Sequence, residues 1–198
     1  MHALGVADFI VDPNARERLS MGNETRDEEA GLIVVANHPT LIDVVQLLAQ
    51  IEHGNCIVKH AIWANPFLGG VMRAANYISN DNSEELLSSC VEALERGETL
   101  VIFPEATRTV SGQDMKFRRG AAQVALASGV PVQFVHFSCN PSTLTKAERW
   151  YNIPSKRPCF RMRVGDRLDP GEFQIHGERR SVASRRLTRA MHGTLSGV

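Results

Sequence analysis

Leu32-Ile33-Val34-Val35-Ala36-Asn37-His38-Pro39-Thr40-Leu41-Ile42-Asp43 is the stretch on which the reading of this chain turns. Its first five residues form an unbroken apolar run rich in β-branched side chains. Such a run has the signature of a strand buried on both faces. Beyond the polar corner, Leu41, Val44, Val45, Leu48 and Ile51 recur at helical spacing. A buried strand that turns directly into an amphipathic helix is the repeating unit of an α/β sheet.

The same alternation continues outward. Cys56-Ile57-Val58 reads as a second strand, and Pro66 opens a helix through Phe67, Leu68, Val71 and Met72. Tyr77-Ile78 is a brief strand. Leu86, Leu87, Cys90, Val91 and Leu94 lie on one face of a helix that Gly97 stops. Thr99 to Phe103 is another buried strand, followed by a polar turn region over 104–119. Ala121 to Ala127 reads as a helix ending at Gly129, and strands are expected at Val132 to Phe137 and Phe160 to Val164. A last helix carries Ala183, Leu187, Ala190 and Met191 on one stripe and Arg179, Arg180, Arg185, Arg186 and Arg189 around the rest. The pattern predicts a three-layer α/β sandwich, a mixed and largely parallel sheet flanked by helices. Residues 1–30 show weak periodicity and read as a loosely held lead-in to one domain over 31–198.

The 198 residues suffice for a core without staples. Composition is that of an ordinary globular protein, with 43% apolar and 22% charged residues, which excludes a disordered or collagen-like chain. No apolar run approaches the roughly 20 residues of a membrane-spanning helix, and the first 25 residues lack an apolar signal core. A cytoplasmic protein, or one on a cytosolic surface, is expected. Cys56, Cys90, Cys139 and Cys159 are widely spaced, which favours reduced thiols over a zinc ribbon. Net charge is zero but uneven: residues 1–144 hold 10 Lys/Arg against 17 Asp/Glu, and residues 145–198 hold 12 against 5. A basic C-terminal quarter suggests an anionic partner.

Two loops carry chemistry, each directly after a buried strand, where ligands bind in such sheets. In the first, Pro39 disfavours helical geometry at His38 and suits the first position of a helix. His38 therefore sits at the strand–helix corner. Inside one helix, residues five apart would face roughly 140° apart; from the corner, the His38 ring can fold back toward Asp43. A carboxylate that fixes an imidazole's tautomer makes it a tuned general base. The plainer alternative is a capped helix with a solvated Asp43. The second loop, Phe103-Pro104-Glu105-Ala106-Thr107-Arg108-Thr109, offers a guanidinium fork and two hydroxyls suited to phosphate, with Glu105 able to orient Arg108 or accept a substrate hydroxyl. Its plainer alternative is a surface turn with one ion pair.

Together the loops resemble the glycerolipid acyltransferases related to lysophosphatidate acyltransferase. Asn37 to Asp43 is similar to their first block, N-H-x4-D, and Phe103 to Thr109 to their third, F-P-E-G-T-R-S. Phe117-Arg118-Arg119-Gly120-Ala121 resembles the F-K-x-G-A segment, and Val130-Pro131-Val132 the fourth block. Lys59, Asn65-Pro66-Phe67 and Gly69 follow the family's run into its second block. The likeness covers about residues 30–165. It implies a glycerol-3-phosphate acyltransferase-like fold and transfer of an acyl chain from acyl-CoA or acyl carrier protein to a lysophospholipid hydroxyl. It implies His38 as base and Asp43 as its orienting partner, with Asn37, Lys59, Glu105, Ala106, Thr107 and Arg108 at the substrate. No metal or resident cofactor is implied, and a peripheral membrane surface is; nucleic acid is not an expected partner.

The chain departs from that pattern in three ways. Tyr77-Ile78-Ser79-Asn80-Asp81 lacks the arginine that usually ends the second block; Arg73 or Lys59 could replace its charge, and Asp81 reads as a helix cap with Glu84 completing a capping box. Ala106 stands where the family has glycine. The family's frequent N-terminal hydrophobic segment has no counterpart before His38. These departures keep alive a second reading, an acyltransferase-fold protein that binds lipid or acyl-CoA with little turnover. A third, a metal-dependent hydrolase on His38, Asp43, His60 and His136, has no ligand spacing to support it. The arginine-rich helix could approach anionic lipid, and Trp150 and Tyr151 could sit at an interface or in the core.

Overall fold

The computed structural model describes residues 7–20, 31–67, 69–81, 83–105, 108, 116–146, 148–149, 151–152 and 154–196, leaving out the side chains of Ser83 and Glu84. Seven strands form one sheet: β1 (Asp8–Val11), β2 (Leu32–Ala36), β3 (Gly54–Val58), β4 (Ile78–Ser79), β5 (Thr99–Ile102), β6 (Val132–Asn140) and β7 (Cys159–Leu168). Their order is β1-β7-β6-β2-β5-β3-β4. Strands β2 to β6 run parallel, while β7 is antiparallel to β6 and carries β1 parallel to itself. The sheet is therefore mixed and largely parallel, as the sequence predicts.

The unbroken run 32–36 has a direct explanation. Strand β2 lies at the middle of the sheet, and its side chains alternate between two cores. Ile33 and Val35 point to one layer, with Leu100, Val132 and Phe134 and the helices α5 (Ser83–Glu95), α6 (Gly120–Ser128) and α7 (Arg180–Ser196). Leu32, Val34 and Ala36 point to the other, with Val101, Val135 and Met162 and the helices α1 (Ala15–Ser20) and α2 (Asp43–Leu48). All five are fully buried. Gly31, just before β2, lies under the end of α5: a Cβ there would sit 2.5 Å from the Glu98 carbonyl and 2.7 Å from that of Leu94. Gly97 and Gly129 end α5 and α6 at φ of 79° and 68°, left-handed values that glycine adopts without strain.

Several boundaries differ from expectation. The lead-in contains β1 and α1 within its described part. Strand β1 is mostly exposed, so it has no buried-face pattern to read. Long-range contacts hold it: Phe9 stacks on Phe160 at 5.2 Å, and Asp8 pairs with Arg157 at 2.6 Å. Residues 1–6 and 21–30 lie outside the described residues. Helix α2 starts at Asp43, not at Pro39, because Thr40 and Asp43 bond to each other across a tight corner. Pro66 lies in a turn between two short helices, α3 (His60–Trp63) and α4 (Gly69–Ala74). The Asn65 side chain accepts the Phe67 amide at 2.9 Å and sets that turn. Helix α7 packs its apolar stripe as expected. Two of its arginines are used internally: Arg180 donates to the Leu126 carbonyl at 2.9 Å, and Arg186 pairs with Glu178 at 2.7 Å.

Candidate active site

The parallel register puts the two chemical loops side by side. Val35 of β2 pairs with Ile102 of β5, so both strands end at the same level. His38 follows one and Phe103 the other. Their rings meet, with centroids 4.6 Å apart and planes 35° from each other. This contact supports one face of the imidazole, and the His38 side chain is only 16% exposed.

On its other flank the ring meets Asp43. Nδ1 lies 3.1 Å from Asp43 Oδ2. The fold-back inferred from Pro39 is therefore present. Asp43 is 1% exposed, and a carboxylate so buried requires donors. The Thr40 backbone N–H donates to Oδ2 at 2.6 Å and the Thr40 hydroxyl to Oδ1 at 2.5 Å. Thr40 is itself 1% exposed. Its mark in the sequence is a hydroxyl residue three positions before an acid in a turn, a signal outside the motif residues named above.

Asn37, expected at the substrate, has its amide on Phe137. Its Oδ1 accepts the Phe137 N–H at 2.7 Å and its Nδ2 donates to the Phe137 carbonyl at 2.9 Å. These bonds fasten the end of β2 to β6 and fix the corner from which His38 projects.

Glu105 is 9% exposed in the loop after β5. The backbone N–H of Arg118 closes this loop on the Pro104 carbonyl at 2.9 Å. Ala106, Thr107 and Thr109 lie outside the described residues. Arg108 Nη1 donates to the carbonyls of Leu144 (3.0 Å) and Thr145 (2.9 Å). The Leu41 amide also donates to the Leu144 carbonyl, at 3.1 Å. One carbonyl thus joins both loops to the segment after β6, a link no motif marked. Arg108, Leu41, Leu144, Glu148, Arg149 and Tyr151 line a cleft of about 460 Å³ there. Trp150 lies outside the described residues.

Lys59 is exposed at the N-terminus of α3, after β3. Where the second-block arginine is missing, Asn80 Oδ1 accepts the His60 amide at 2.9 Å, and Asp81 lies 3.3 Å from His60 Nδ1. Asp81 thus faces His60; the Glu84 side chain of the expected capping box lies outside the described residues. His136 sits apart on β6 opposite Arg163. Its pKa is lowered, first by burial and then by the Arg163 charge, against an upward pull from Asp166. Among the described residues, no three His, Cys, Asp or Glu side chains converge as metal ligands would. All four cysteines are free, and burial pushes Cys56 and Cys90 up to about 12.

A mostly parallel sheet thus carries a His–Asp pair and an arginine-bearing loop at adjacent strand ends, the layout of an α/β protein with a candidate base beside a cationic loop. A family model described as Acyltransferase matches residues 18–138, and the chain belongs to that family. Among its relatives is the 1-acyl-sn-glycerol-3-phosphate acyltransferase BAT2, chloroplastic, of Brassica napus, 29% identical over 105 residues, covering 50% of this chain and 30% of that one. The 1-acyl-sn-glycerol-3-phosphate acyltransferase of Helicobacter pylori is 33% identical over 100 residues, covering 47% of this chain and 42% of that one. The crystal structure of the 1-acyl-sn-glycerophosphate (LPA) acyltransferase PlsC from Thermotoga maritima superposes with a TM-score of 0.67 at 26% identity, covering 93% of this chain and 70% of that one. The matches span less than half the length of these two curated relatives.

Proposed function

We propose that this protein transfers an acyl chain from a thioester, on coenzyme A or acyl carrier protein, to the hydroxyl of a lysophosphatidate-type acceptor. The observation that carries this reading is the His38–Asp43 pair at 3.1 Å, beside the loop bearing Glu105 and Arg108. Asp43 holds Nδ1, so Nε2 is the nitrogen that takes the proton. As the acceptor oxygen attacks the thioester carbonyl, its proton passes to Nε2. The tetrahedral intermediate then collapses, the C–S bond breaks, and the thiolate leaves and takes up a proton. A thiol with a pKa of about 8.5 is a good leaving group and needs little acid assistance. Arg108, and a second cation from Lys59 or Arg73, hold the acceptor's phosphate. The relatives named for 1-acyl-sn-glycerol-3-phosphate support that acceptor class.

The reaction takes place at a lipid surface facing the cytosol, with the protein bound peripherally. No helix among the described residues is long and apolar enough to cross a membrane. The test is incubation of purified protein with labelled acyl-CoA or acyl carrier protein and lysophosphatidate, with His38→Ala alongside. Diacyl product from the wild type and none from the variant is expected. Equal turnover by both removes the base.

A second reading, a lipid- or acyl-CoA-binding protein with little turnover, rests on one observation. Arg108 Nη1 is already committed to two backbone carbonyls, and the second block brings no arginine to replace it. Tight acyl-CoA binding without product in the same assay favours this reading.

A further inference from the structure

Between β3 and β4 the chain leaves the carboxyl end of the sheet, the end that carries His38, and makes α3, the Asn65–Phe67 turn and α4. This excursion buries almost nothing: among its described residues from 59 to 76, Gly69 is the one buried residue. Yet much of it is apolar. Phe67 is 88% exposed, Val71 59% and Ile62 40%. On the α2 connection at the same end, Val45 is 68% exposed and Leu41 51%. Large apolar side chains clustered in one exposed segment mark a contact surface.

The excursion is also built to a fixed shape. The Asn65 side chain caps the Phe67 amide, the Gly69 amide donates to the Asn65 carbonyl at 2.7 Å, and a Cβ on Gly69 would run into the Trp63 carbonyl. Phe67 is thereby held outward at the tip of a braced turn.

Charge identifies what it meets. Residues 59–76 contain Lys59, His60 and Arg73 and no acid. Acids outside the segment meet it at His60: Asp81 faces that ring, and Glu85 and Glu92 share a cleft with His60 and Trp63. Protruding aromatic and aliphatic side chains on a segment whose own fixed charges are Lys59 and Arg73 are the chemistry of interfacial insertion into an anionic lipid layer.

We propose that the β3–β4 excursion, with Phe67 and Val71 as its inserting side chains, is the surface by which this protein docks on an anionic membrane. It places the active-site end of the sheet against the lipid. On the C-terminal helix α7, Arg180 and Arg186 are spent on Leu126, Phe173 and Glu178, while Arg185 and Arg189 are exposed, so the experiment includes these two as the competing surface. The inference sharpens the lipid-surface part of the proposed function and does not require turnover to be tested.

The experiment is co-sedimentation with two kinds of vesicle, phosphatidylcholine alone and phosphatidylcholine containing phosphatidylglycerol. The wild type is expected to sediment with the anionic vesicles and less with the neutral ones. Phe67→Asp and Val71→Asp are each expected to weaken binding roughly tenfold or more, from the apolar burial that each abolishes. Arg185→Ala/Arg189→Ala on α7 is expected to bind as wild type. Both target side chains are exposed, so folding is expected to persist, with circular dichroism as the check. Wild-type binding by Phe67→Asp, equal binding to both kinds of vesicle, or loss of binding only in the α7 variant each overturns the surface. Turnover on a short-chain monomeric acceptor reads the chemistry separately. A folded Phe67→Asp that loses that turnover places Phe67 at the substrate and also overturns the docking role. A wild type that binds vesicles but never turns over counts against acyl transfer alone.

Discussion

The Thr40 hydroxyl lies 2.5 Å from Oδ1 of Asp43, while the Thr40 amide holds Oδ2, the oxygen that faces His38. One residue thus supplies two of the donors on a carboxylate that is 1% exposed. It fixes the rotation of the carboxyl group and so the oxygen offered to the imidazole. Thr40→Val keeps the shape and the backbone bond but removes the hydroxyl. A buried charged acceptor losing one donor costs about 1.5–3 kcal/mol, to be read by urea denaturation. Turnover is expected to fall with little change in KM, and Thr40→Ser to restore both stability and rate.

His38→Ala is expected to lower kcat by roughly 10²–10⁴, the usual worth of a positioned general base. The substitution leaves the buried cores on both faces of the sheet untouched, so folding is expected to persist with the melting temperature shifted by a few degrees at most. Asp43→Asn changes the tautomer the ring must adopt and is expected to slow turnover by a similar factor. If Asp43→Asn retains the wild-type rate, the orienting role is wrong.

Arg108 has two tasks to separate. Arg108→Ala removes both hydrogen bonds from Nη1 and frees the segment around Leu144 and Thr145. Bonds from a charged donor are worth about 1.5–3 kcal/mol, so hydrogen exchange across 141–146 is expected to accelerate. KM for a phosphate-bearing acceptor is expected to rise more than kcat falls. An unchanged KM assigns Arg108 to loop support only.

Gly31→Ala probes the fold away from the site. The new methyl meets the carbonyls of Glu98 and Leu94, both backbone atoms that cannot swing aside. A loss of about 1–3 kcal/mol is expected, as for other overpacked cores, measured by denaturant unfolding.

His136 makes stability depend on pH. Burial lowers its pKa in the folded chain below the 6.5 of a free side chain. As pH falls through about 6.5, the unfolded chain takes up the proton first, so stability declines. The decline from this group ends once pH is below the lowered folded value. His136→Gln is expected to flatten the profile in that window relative to wild type, and a profile identical to wild type removes His136 as the source.

Sequence alone determined the layered sheet and the turn that carries His38. Both leave local marks: Leu32 to Ala36 is apolar at every position because it is buried on two faces, and Pro39 disfavours helix at His38. Tertiary structure decided the rest. Strand β1 forms by pairing its backbone along Cys159–Met162 of β7, with Phe9 on Phe160, partners about 150 residues away that leave no periodicity near residue 8. The Leu144 carbonyl ties Leu41 to Arg108 through a segment whose own residues carry no motif. Asn37 and Arg108 look alike in sequence as polar loop residues. Only their backbone partners, Phe137 for one and Leu144 and Thr145 for the other, reveal how much of each side chain is already spent on holding the site together. Spacing along the chain encodes which face a residue shares with its neighbours, whereas hydrogen-bond partners across the sheet are fixed only when distant strands pair.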